Sequence, residues 1–145
     1  MKKLATLLLV CVILSLCGCE DDAISQVNSK LLDANGNFSL WVSNQSFAIK
    51  NVDITVEIDG ELVISEYFNV GTQHTFKEFK LALEPGTHHI NIRSNNGKAE
   101  LSKTFEFRPG QNGVIDYWYT KKSKYGDPIP RKFAFAIIDG TIQIM

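Results

Sequence analysis

The sequence predicts an all-β fold: an antiparallel two-sheet sandwich with about eight strands. Three observations carry this. From Phe38 onward apolar residues recur with a period of two over short stretches. Gly, Pro, Asn and Asp punctuate those stretches at turn spacing. No stretch offers the crossover helix that a parallel sheet needs. A small barrel is the alternative closure.

Phe38, Leu40 and Val42 alternate with Ser39, Trp41 and Ser43, which leaves Trp41 on the face opposite the apolar set. Val52, Ile54, Val56 and Ile58 alternate with Asp53, Thr55 and Glu57, the pattern of a half-buried strand. Asp59-Gly60 follows at once and then Glu61 to Phe68, so a type I′ hairpin is predicted there. Thr75 to Leu83 is the next strand, with Phe79, Leu81 and Leu83 on one face. Glu84-Pro85-Gly86 turns the chain, and Thr87 to Arg93 returns with His88, Ile90 and Ile92 alternating. Asn95-Asn96-Gly97 turns again before Ala99 to Phe107. Pro109 to Gly113 separates that strand from Val114 to Thr120. A longer loop, Lys121 to Arg131, precedes Phe133 to Ile138, and Asp139-Gly140 starts a last hairpin running to Met145. Hairpin signals fix neighbours and leave the strand order of the two sheets open.

Ahead of the strands the chain changes character. Lys2 and Lys3 precede an almost wholly apolar run from Leu4 to Leu16, the charge and length pattern of an export signal and short for a membrane span. Residues 20–37 carry acids, Asn, Ser and Gly with little apolar period and read as a tether. The predicted organisation is a signal peptide over 1–18, a modified Cys19 with tether over 19–37, and a sandwich over 38–145.

Composition excludes several classes. Residues 1–18 hold two lysines and no acid, so the remainder has 13 bases against 16 acids, a formal charge of −3. That is no footing for general nucleic-acid binding. Cys11 and Cys17 would leave with the signal. A single remaining cysteine, Cys19, allows no disulfide within the domain, so stability rests on the apolar core.

Leu16-Cys17-Gly18-Cys19 resembles the bacterial lipobox, Leu-x-small-Cys, with Cys17 departing from the usual small residue at its position. The resemblance covers the first nineteen residues. It implies a diacylglyceryl group on the Cys19 thiol, cleavage before Cys19, further acylation in many bacteria (palmitate among the chains), and a lipid-anchored cell-envelope location reached through the secretory pathway. Each buried CH₂ contributes about 0.8 kcal/mol, so two or three chains anchor firmly. Separately, Val52-x-Ile-x-Val-x-Ile-Asp-Gly-Glu-Leu-Val63 and Leu81-x-Leu-x-Pro-Gly-x-His-x-Ile-x-Ile92 resemble bacterial surface modules of immunoglobulin-like or PEGA type, without the small-Pro opening of PEGA repeats. Such modules are β-sandwiches that act as spacers or binding units.

Few residues point to chemistry. His88 and His89 are adjacent on a strand and face opposite ways, so with His74 they form no ligand set. No HExxH, GxSxG or cysteine pair is present, and neither a metal nor another cofactor is expected. Asp33-Ala-Asn35-Gly36-Asn37 puts Gly fourth, where an EF-hand loop needs it sixth, and reads as a loop. Non-catalytic binding is expected instead, with Asp116 to Lys132 as the candidate stretch. If Trp118 packs inward, Tyr117 and Tyr119 lie side by side outside, in reach of Tyr125, as a platform for sugar rings. Lys121, Lys122 and Lys124 add local positive charge suited to anionic polymers or lipid headgroups. The expected partners are membrane lipid through Cys19 and an envelope glycan or protein.

Overall fold

A computed structural model describes residues 27–46, 48–70, 75–121, 126–140 and 142. Eight strands run in chain order: β1 (Phe38–Asn44), β2 (Asn51–Ile58), β3 (Glu61–Asn69), β4 (Lys77–Leu81), β5 (Gly86–Ser94), β6 (Ala99–Phe107), β7 (Gln111–Thr120) and β8 (Ile129–Asp139). They form two four-stranded sheets. Sheet A has the order β4-β1-β7-β8 and sheet B the order β3-β2-β5-β6. The two-sheet all-β sandwich is therefore as predicted.

The order is not that of an immunoglobulin domain, where strands A, B, E and D share one sheet. Here the first and second strands lie in different sheets, and the second and third pair within one. Sheet A is also not wholly antiparallel, because β1 and β7 pair in parallel with Trp41 opposite Val114 and Ser43 opposite Asp116. Parallel neighbours need long connections, and these two are separated by five strands.

The best hairpin signal holds. Asp59 (φ 52°) and Gly60 (φ 80°) make the turn between β2 and β3 with both residues in the left-handed region. The pairing slips between Val56 and Glu57, so that Val63 and Ile64 are adjacent and both buried. Asn95 to Lys98 joins β5 to β6 as predicted. The Glu84-Pro85-Gly86 turn is different: β4 pairs with β1 while β5 pairs with β2 and β6. It carries the chain from sheet A to sheet B rather than closing a hairpin. Asn37 supports this crossing, its side-chain amide donating to the Leu83 carbonyl and accepting from the Leu83 amide. An earlier sheet change, from β1 to β2, is held by buried Asn44. Its side chain donates to the carbonyls of Ile49, Lys50 and Phe68 and accepts from Ser46 N. Each otherwise costly buried polar group is thereby satisfied.

The core lies between the sheets and includes Phe38, Leu40, Val42, Ile54, Ile58, Ile90, Ile92, Phe107, Ile115 and Tyr117. Edge-to-face ring pairs cross it: Phe38 with Phe107, Phe105 with Phe135, and Tyr117 with Phe133. Gly113 sits on β7 where a Cβ would lie 2.7 Å from Phe38 Cζ and 2.9 Å from Leu40 Cδ1. A side chain there has no room.

The predicted tether is partly a docked segment. Ser29 Oγ donates to Glu61 at 2.6 Å, the Lys30 amide donates to the same carboxylate, and Leu32 bridges Leu81. Asp33 N donates to Lys80 O and Ala82 N to Leu31 O. Leu31 and Leu32 pack on the core. Gly36 crosses so close to Leu81 that a Cβ would meet its carbonyl oxygen at 2.3 Å. Among the described residues, contacts with the domain are made from Ser29 onward and not only from Phe38, because Leu31 and Leu32 supply apolar area that β4, only five residues long, leaves uncovered at the sheet edge.

Candidate binding face

Of the side chains expected to form a site, Cys19, Lys122, Lys124 and Tyr125 lie outside the described residues, as does His74. The tyrosine platform does not form. Tyr117 is fully buried and its hydroxyl donates to Gly97 O at 2.7 Å. Tyr119 is half-buried, packs on the core, and lies under the Arg131 guanidinium at 4.3 Å from its ring centre. Lys121 is exposed at the end of β7, the opposite end of the sandwich from the docked segment. The orientation is the reverse of the expectation. Both residue sets on β7 are apolar enough to face inward, and Gly113 and Ile115, in phase with Tyr117, fit between Phe38, Leu40 and Phe135.

Trp118 consequently faces out. Strand alternation places it with Asn112, Val114 and Asp116 on the outer face of sheet A. The register sets Trp41 beside Val114 and Ser43 beside Asp116, with Ala134, Ala136 and Ile138 of β8 on the other flank. Trp41, Val114 and Trp118 are half-buried. Ala134, Ala136 and Ile138 are exposed. Neither indole N–H has a partner among the described residues.

Polar groups are set into this strip. Gln45 donates to Ser43 Oγ at 2.9 Å, and Ser43 donates to Asp116 at 2.6 Å. No cation pairs with Asp116 among the described residues. Burial pushes its carboxyl above the ordinary 3.8, and the Ser43 bond offsets part of that. Beside Trp41 runs a shallow groove whose walls include Ser39, Glu78, Asn112 and Ile142. Ser39 donates to Glu78 at 2.6 Å, and Asn112 donates to Gly140 O at 2.5 Å. Among the described residues no three His, Cys, Asp or Glu side chains are grouped to hold a metal.

His88 occupies a different place. It packs near Phe105 and Phe107 under the β2–β3 turn, with Nδ1 2.6 Å from Asp59 Oδ2 and Nε2 2.7 Å from Glu84 O. Both partners are acceptors, so only the imidazolium satisfies both. Desolvation opposes that charge. The hydrogen bonds to Asp59 and Glu84 O, together with the charges of Asp59 and Glu106, outweigh it and hold the ring above its ordinary 6.5. This is a structural tie between the turn and the sheet crossing.

Fold and surface define a class: a β-sandwich with half-buried tryptophans on the outer face of sheet A and a mainly polar outer face on sheet B, where β3 exposes Tyr67. Comparison with protein-family models and with curated proteins finds no match for the chain.

Proposed function

We propose that the protein is a cell-envelope lipoprotein, anchored through acylated Cys19, whose sandwich binds an envelope glycan or protein without catalysis on the outer face of sheet A. The observation that carries the binding reading is the set of half-buried Trp41, Val114 and Trp118 on the outer face of sheet A, flanked by exposed Ala134, Ala136 and Ile138. Contiguous apolar surface of this kind marks interaction sites. The anchoring reading rests on the first nineteen residues, with a charged start, an apolar run and Leu16-Cys17-Gly18-Cys19. Ser29, bound to Glu61 on the domain, lies ten residue steps from Cys19, at most about 35 Å at full extension. The domain is therefore held close to the bilayer.

The test is expression of the full chain in a bacterial host with a metabolic palmitate analogue. Wild type is expected to take up label and sediment with membranes, whereas Cys19→Ser stays unlabelled and leaves the membrane fraction. Unlabelled wild-type protein overturns the anchor. Full-length protein extracted in detergent is expected to be retained on detergent-washed envelope material, a Trp41→Ala/Trp118→Ala double variant is expected to lose that retention, and unchanged retention removes this face as the site.

A second reading has its own support. β8 is an eleven-residue edge strand with no partner on its outer side among the described residues. An assembly component docking by strand addition would use that edge. Its mark is envelope retention indifferent to both tryptophans and lost when Ala134 or Ala136 is replaced by Pro.

A further inference from the structure

The outer face of sheet A takes one chemical class of ligand better than others. Resting on the binding reading above, we propose that it is a glycan site for a neutral, unbranched pyranose chain laid along β7 from Trp41 to Trp118.

The first reason is the alternation of ring and hydrogen-bonding group. Along the outer side of β7 come Asn112, Val114, Asp116 and Trp118, with Ser39, Trp41 and Ser43 beside them on β1. Side chains on one face of a strand recur every ~6.6 Å, and Trp118 lies about 13 Å beyond Val114, which Trp41 adjoins. A pyranose chain presents C–H faces bounded by hydroxyls at a comparable repeat. Its faces stack on indoles and its hydroxyls bond to the groups between. An apolar protein partner has no such rhythm.

The second reason is Asp116. Among the described residues its single donor is Ser43 and no cation forms an ion pair with it. A dry protein surface laid over it would bury a carboxylate without a counter-charge, which is costly. Sugar hydroxyls are donors, and a wet sugar interface keeps the carboxylate hydrated. The two indole N–H groups supply donors where Asp116 supplies an acceptor.

The third reason is the groove beside Trp41. Ser39, Glu78 and Asn112 bring acceptors and donors to the flank of one indole, with Ile142 across from it. Ser39 and Asn112 each make one intramolecular bond as donor and keep acceptor capacity. An indole bordered by hydrogen-bonding side chains suits the end of a sugar chain.

The acids Glu78 and Asp116 on the path are matched on the same face by Lys80 beside Ser39 and Lys132 beside Trp118, so the face carries no net charge that favours an anionic chain over a neutral one. The flat sheet gives no recess for a branch.

The experiment uses the full chain purified in detergent, with tryptophan fluorescence as readout. The probes are cellotetraose, chitotetraose, the protein-free polysaccharide of the source envelope, glucose, and polygalacturonate. At least one of the first three is expected to shift emission saturably. Glucose is expected to bind at least tenfold more weakly, and polygalacturonate no more tightly than the preferred probe. Trp118→Ala and Asp116→Asn are each expected to weaken the preferred probe about tenfold or more with the thermal midpoint unchanged, whereas Glu57→Gln on sheet B changes nothing. Failure of all three sugar probes overturns the glycan proposal, as does binding indifferent to Trp118 and Asp116. If sugars fail while an envelope protein is retained in a Trp41- and Trp118-dependent way, the binding reading stands and only its ligand class falls. Loss of both removes the binding reading as well.

Discussion

The outer faces of the two sheets differ most at their central strands, polar on sheet B and aromatic on sheet A, although β3 of sheet B also turns Tyr67 outward and β8 of sheet A turns Lys132 outward. On sheet B the outer positions of β2, β5 and β6 are Asp53, Thr55, Glu57, His89, Asn91, Arg93, Glu100, Ser102, Thr104 and Glu106. They satisfy one another, as Arg93 does with Glu57 at 3.0 Å and Ser102 with His89 at 2.9 Å. On sheet A the central strands turn Trp41, Val114 and Trp118 outward, and β8 adds Ala134, Ala136 and Ile138. An antiparallel sheet with one solvated face ordinarily reads as sheet B does. Sheet A departs from that pattern at Trp41, Val114 and Trp118, the residues on which the binding reading rests.

The largest expected effect separates two neighbours on β7. Tyr117→Ala empties a fully buried site and removes the bond to Gly97 O, and is expected to cost about 3–5 kcal/mol in denaturant unfolding. Trp118→Ala, one residue away on the outer side, is expected to cost less than about 1 kcal/mol and to act on ligand retention. Equal losses would mean that Trp118 is a core residue and would end the contrast. Next in size is Gly113→Ala, whose new methyl meets Phe38 and Leu40, with an expected cost of about 1–3 kcal/mol in the same measurement. Little or no loss would show that the core beneath sheet A has slack.

A pH series tests the other end of the fold. His88 is raised above 6.5, so the stability it lends is complete below that pH and disappears as pH climbs through the folded value. For Asp59, desolvation is outweighed by bonds from His88 and the His89 amide and by the charges of both imidazoles, and its carboxyl is held below 3.8. Its contribution is present above 3.8 and is lost as pH falls through the folded value. The thermal midpoint is therefore expected to fall between pH 6 and 8.5 in wild type and to flatten there in His88→Gln. Identical profiles would show that the pair contributes nothing. The smallest effect belongs to sheet B: Arg93→Ala removes an exposed ion pair and is expected to cost about 0–1 kcal/mol, less at high salt.

Much of this was open to a reading of residues. Asp59-Gly60 demanded its turn because few residues tolerate two successive positive φ angles, and Val52 to Ile58 declared its buried face by strict alternation. β7 declared neither. Ile115 and Tyr117 compete with Val114 and Trp118, and the side that faces inward depends on Gly113 lying against Phe38 and Leu40, which are 73 to 75 residues earlier in the chain. The docked segment was equally hidden, since Leu31 and Leu32 show no period and gain burial only because β4 leaves an edge beside them.

By itself, then, the sequence determined the strands and their tight turns, set by local periodicity and backbone sterics. Tertiary structure alone decided which sheet each strand joined, that the Glu84-Pro85-Gly86 turn crosses between sheets, and that the tryptophans rather than the tyrosines reach solvent. Those choices follow from packing between residues far apart in the chain, where no short stretch holds both partners.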